Sequence, residues 1–102
     1  MNHSFVDGRL YLSREPEERE PLLIRLRKIE GQVRGLQQML EEDRYCLEEV
    51  QLANAITAGI REVALMIMGQ HLNAGVEFAI ESKDAPAALK DLMAVLRAAM
   101  RQ

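Results

Sequence analysis

The stretch LLIRLRKIEGQVRGLQQMLEEDRYC, residues 22–46, decides the fold class. Within it Leu22, Leu26, Ile29, Val33, Leu36 and Leu40 recur at spacings of four and three, which places them on one face of an α-helix. Pro21 stands just before them, where the first turn of a helix tolerates proline. The segment EEDRY, residues 41–45, interrupts the pattern, and Asp43 is expected to cap the N-terminus of a second helix. That helix is expected from about Arg44 to about Ile80, with Val50, Ala53, Thr57, Ile60, Ala64, Ile67, His71 and Ala74 on its seam. Leu52, Ile56, Val63, Leu65 and Met66 widen its apolar face, as expected of a helix at the centre of an assembly. After ESKDA, residues 81–85, Pro86 opens a third helix whose seam is Ala85, Leu89, Leu92, Leu96 and Ala99. Arg97 and Arg101 sit near its C-terminus, where the helix dipole favours cations. Residues 1–20 show no sustained period and no strand signal, and are expected to form a flexible arm with at most a short helical start. The expected architecture is all-α, a three-helix protomer with a long central helix.

At 102 residues the chain has the size of one domain, and 48% apolar content suffices for a core, with only 4% aromatic residues. So small a chain buries a modest share of its surface alone, and oligomerisation would complete the core. The net charge of −3 argues against a protein that coats nucleic acid non-specifically. Local charge differs: residues 14–20 are net negative, whereas residues 22–37 carry Arg25, Arg27, Lys28 and Arg34 against Glu30 alone. A single cysteine excludes an internal disulfide and fits a reducing cytoplasm. No unbroken apolar run approaches the ~20 residues that span a bilayer, so no membrane role is expected. The first 21 residues hold no apolar signal core, and secretion is not expected.

Two residues carry distinctive chemistry. Cys46 falls in the first turn of the long helix, where unpaired backbone N–H groups favour an anion, and the thiolate is the form that binds soft metals and attacks electrophiles. His71 interrupts the apolar seam of the same helix. Taken singly, each reads more readily as a core residue than as a site. Their spacing is more informative: twenty-five residues along one helix is about 38 Å. They can share a ligand only if two copies of the helix lie antiparallel, Cys46 of one beside His71 of the other. A two-fold dimer creates two such sites.

The segment RLRKIEGQVRGLQQMLEEDRYC at residues 25–46, followed by His71 in GQHL, resembles the CsoR/RcnR/FrmR family of bacterial repressors. The similarity runs over about residues 22–101, and it makes residues 21–102 the repressor domain behind the arm at 1–20. It implies three-helix protomers that pair antiparallel and assemble as dimers of dimers, without a helix-turn-helix reader. It also implies a repressor that leaves operator DNA when its effector binds. In copper-sensing members the metal is held by a cysteine, by a histidine of the other protomer, and by a second cysteine four residues beyond that histidine. Cys46 and His71 match the first two positions. Tyr45 and Asp91 match an outer shell, and Arg25 matches an arginine used for DNA.

The third position departs from the pattern, because Gly75 stands there and coordinates nothing. The resemblance therefore implies Cu(I), or another thiophilic or borderline metal such as nickel or zinc, with an altered third ligand. His3, Glu77 or water are candidates for that ligand. Formaldehyde-sensing members keep the Cys and His without the second Cys, so reaction of an aldehyde at Cys46 stays open.

Arg25, Arg27, Lys28, Arg34 and Arg61 are the candidates for phosphate contacts, repeated in each copy of an oligomer. Glu62 replaces an arginine that copper-sensing relatives use for DNA, and no groove-reading motif is present. Readout is expected to rest partly on DNA shape. An enzyme is not expected, since neither Cys46 nor His71 has a second nucleophile or base near it in sequence, and no phosphate-binding glycine loop occurs. A helical adaptor that binds no DNA is the remaining alternative.

Overall fold

The computed structural model describes residues 1–101. Strands β1 (Asn2–Val6) and β2 (Arg9–Ser13) precede helices α1 (Pro16–Glu41), α2 (Cys46–Ser82) and α3 (Ala85–Met100). The three-helix, all-α reading holds, with the middle helix longest. The hairpin is a correction to the expectation that residues 1–20 hold no strand.

The physical reason lies in the turn. Asp7 and Gly8 both take positive φ, 50° and 74°, the backbone of a two-residue turn whose twist suits antiparallel strands. The strands pair from Asn2 with Ser13 to Val6 with Arg9. His3, Phe5, Leu10 and Leu12 turn inward while Ser4, Val6, Arg9 and Tyr11 face out.

Helix α1 starts five residues earlier than Pro21 suggested. Pro16 takes its first position, and the Glu15 carbonyl accepts from the Arg19 N–H at 2.9 Å. The Glu18 carboxylate returns to accept from the Glu15 N–H at 2.9 Å, one half of a capping box. Pro21 lies inside the helix. At the other end Asp43 does not cap α2. It adopts a φ of 51°, and the Arg44 and Asp43 N–H groups return to the carbonyls of Met39 and Leu40 at 3.0 and 3.4 Å. That is a Schellman closure of α1 with Asp43 in the left-handed position. Helix α2 starts two residues late in consequence, with the Tyr45 carbonyl accepting from Glu48 and Glu49. Asp84 caps α3 through its side chain, which accepts from the Ala87 N–H at 3.3 Å.

The chain forms two compact units. One comprises Glu20–Val63, the other Met1–Arg19 with Ala64 onward. In the first, α1 and α2 run antiparallel and come close at Gly59. A Cβ there would stand 3.1 Å from Ile29 Cδ1, so only glycine leaves the isoleucine undisturbed. Leu22, Ile29 and Val63 are its buried apolar residues. In the second, β2 packs against α3, Phe5 stacks on Phe78 of α2 at 4.5 Å, and Leu10, Ala74 and Ala88 are buried.

Helix α2 is only partly covered. Val50, Ile60, Leu65, Ile67, Leu72 and Val76 are exposed, several of them on its predicted seam. By length and composition α2 is also apolar enough to cross a membrane, with only 6% of that window buried. The apolar stretch is nonetheless broken in sequence by Arg61, Glu62, Gln70, His71 and Asn73.

Candidate effector site

His71 is buried, at 7% exposure. It lies with Ala74, Gly75 and Phe78 on one stripe of α2, spaced three and four apart. Its Nε2 meets Asp91 Oδ2 of α3 at 2.6 Å. The two residues are twenty apart in sequence, and the α2–α3 connection brings them together because Lys83, at a φ of 57°, turns the chain back. In neutral imidazole one nitrogen donates and the other accepts. With Nε2–H donating to the carboxylate, Nδ1 keeps a lone pair for a ligand.

Cys46 is a free thiol at the first position of α2, and it is exposed. Its neighbour Arg44 does not lend it an uncommitted positive charge. The guanidinium reaches Glu48 at 3.2 Å and Glu42 at 3.9 Å, and Glu49 adds a further carboxylate to the first turn. Tyr45, the outer-shell candidate, is 71% exposed.

His3 and Glu77 come together, though not at His71. His3 Nε2 lies 3.8 Å from Glu77 and 3.9 Å from Glu81, with its ring edge-on to Phe78. Among the described residues no three His, Cys, Asp or Glu side chains are placed to hold a metal ion. Cys46 and His71 supply a thiol and an imidazole, donor types that suit a soft, low-coordinate ion such as Cu(I). At Gly75 a Cβ would meet nothing within 4 Å. Space therefore exists beside Gly75 for a larger side chain.

Arg25, Arg27, Lys28 and Arg34 on α1 and Arg61 on α2 are all exposed. Arg27 spends part of its charge on Glu20, at 2.8 Å. Sequence reasoning missed Gln70, which accepts a hydrogen bond from Arg14 Nε and donates to the Glu18 carbonyl at 2.9 Å. Sequence separations of more than fifty residues gave no signal for it.

The description "metal-sensitive transcriptional repressor" belongs to a family model that matches residues 18–98. The chain is 38% identical over 81 residues to the copper-sensing transcriptional repressor CsoR of Bacillus subtilis (strain 168), covering 79% of this chain and 80% of that protein. Its fold is similar to that of the copper-sensing repressor CsoR with Cu(I) from Geobacillus thermodenitrificans NG80-2, with a TM-score of 0.78 and 37% identity. That match covers 90% of this chain and 96% of the other. It is also similar to the nickel-responsive transcriptional regulator InrS, with a TM-score of 0.78 and 27% identity over 87% of this chain and 100% of that one.

Proposed function

We propose, from the premise that this chain belongs to the metal-sensitive transcriptional repressor family, that it is released from operator DNA when Cu(I) or a similar thiophilic ion joins Cys46 of one protomer to His71 of another. The chain is a transcriptional repressor and not an enzyme; the identity of the ion and the residues that hold it are the proposal. So are residues 21–102 as the repressor domain behind an N-terminal segment at 1–20, assembly as an antiparallel dimer and then a tetramer, and work in the cytoplasm, where the DNA is.

The observation that carries the reading is the state of His71. A buried imidazole held by a carboxylate through one nitrogen is fixed in tautomer and direction, which is how ligating histidines are prepared. Cys46 supplies the thiolate. The two stand twenty-five residues apart on α2, so the pairing requires a second, antiparallel copy. The exposed apolar residues of α2 supply a surface for that copy. The ion, once bound, would cross-link two protomers, and a monovalent ion that takes the place of the Cys46 thiol proton would leave the net charge of the site unchanged. The exposed Arg25, Lys28 and Arg34, with Arg27 and Arg61, would contact phosphates, and a change in how the two long helices sit would spoil their fit. Coupling of this kind is typically about 1–3 kcal/mol, or roughly 5–150-fold in affinity.

The test is release from promoter DNA of the protein's own operon, with Cu(I), Ni(II), Zn(II) and formaldehyde titrated separately. Cys46→Ala should bind the DNA as wild type does and fail to release it. Continued release of that variant by the same effector would refute the site. Release by formaldehyde alone would establish the aldehyde sensor instead, and no DNA binding at any salt would leave the adaptor.

A further inference from the structure

We infer that the N-terminal hairpin is a positioning element for His71, fastened through Gln70 to the same turn of α2, and that it sets the effector concentration at which the repressor lets go. The inference rests on the reading of His71 as an effector ligand.

Consecutive residues on a helix point about 100° apart, so Gln70 and His71 offer two handles on one turn. Asp91 holds the second handle from α3, at 2.6 Å. Arg14, between the hairpin and α1, and the Glu18 carbonyl, in the first turn of α1, hold the first. That segment is itself tied down. Arg19 donates to the Arg14 carbonyl at 2.7 Å, and the Met1 amino group lies 3.6 Å from the Glu18 carboxylate.

Two turns further along the His71 stripe, Phe5 of β1 stacks on Phe78. His3 packs edge-on to the same ring and reaches Glu77 and Glu81. Ala74, between the two attachment points, is 2% exposed. The hairpin thus meets α2 directly at 77–81 and is tied to residue 70 through Arg14, the residue that follows it, and Glu18, with His71 inside the span so held. It lies outside the residues matched by the family model, which begin at 18, so it is an addition to the part the family shares. A ligand held in its binding geometry beforehand loses less freedom on binding. Loosening the grip therefore raises the effector concentration needed for release.

The experiment compares Gln70→Ala, Gln70→Glu and Phe5→Ala with wild type in the full chain. For each, the operator affinity without effector, the Cu(I) and Ni(II) concentrations at half-release, and the amide exchange of residues 70–82 are measured. Gln70→Ala and Phe5→Ala should raise the half-release concentration of the active ion by about fivefold or more, within the usual range of coupling, while operator affinity stays within about twofold. Exchange should quicken about tenfold over 70–82 and in the N-terminal segment that grips it, and not in the rest of the chain. Gln70→Glu, which keeps the acceptor for Arg14, should fall between.

An unchanged half-release concentration, or one that moves only in step with operator affinity, overturns the inference. Unchanged exchange over 70–82, or exchange that rises along the whole chain, overturns it as well. Cys46→Ala in parallel separates the two levels. If that variant still releases DNA, the site reading has failed, and the exchange data alone decide whether the hairpin grips the turn.

Discussion

At the scale of single residues, the proposed ligand set turns on His71 and Gly75. The carboxylate of Asp91 orients the imidazole, whereas the glycine one turn later withholds a donor while leaving room for one. Gly75→Cys should therefore enter without steric conflict and raise Cu(I) affinity by at least about tenfold, because a second thiolate favours a soft ion. Competition against a Cu(I) chelator would measure it; an unchanged affinity would mean that position 75 does not face the ion. Cys46 and His71 were legible in the sequence as chemistry, from a thiol in a first turn and an imidazole on an apolar seam. The contact between His71 and Asp91 was legible only through resemblance. Gln70 was not legible at all, because its partners Arg14 and Glu18 lie more than fifty residues away and a glutamine on a helix carries no signal of its own.

At the scale of elements, the helices could be read because their seams repeat every three and four residues, but their ends were misjudged. Two prolines stood near the start of α1, and the capping geometry selected Pro16 over Pro21. Asp43 looked like a cap for α2, yet its left-handed backbone closes α1. The hairpin was hidden by its brevity, although Asp7-Gly8 between alternating runs is the pattern that marks one. The helix glycines separate in the same way. At Gly69 an added Cβ meets nothing within 4 Å, while at Gly59 it meets Ile29 at 3.1 Å. Gly69→Ala should stabilise the protein by up to about 1 kcal/mol. Gly59→Ala should show no such gain and should lose stability as α1 and α2 are forced apart. Urea denaturation of both variants would decide this, and a stabilised Gly59→Ala would show that the close approach is unimportant.

At the scale of the whole molecule, the balance of charge and apolar surface sets behaviour. A chain with a net charge of −3 that grips phosphates does so with a few local cations, so operator affinity should fall steeply with salt. Arg25→Ala should lower the slope of log affinity against log salt by about one unit per protomer engaged. A slope that does not change would remove Arg25 from the interface. Ile60, 47% exposed in the lone chain, lies on the seam of α2. Ile60→Lys should shift the protein toward monomer in sedimentation and weaken DNA binding along with it. The thinly covered central helix has one more consequence. If its apolar side is sheltered only by sister copies, folding and repression draw on a common equilibrium, and the thermal midpoint must climb as the protein is concentrated. A cell that dilutes this regulator by growth would then lose operator occupancy faster than copy number alone dictates, with no effector present.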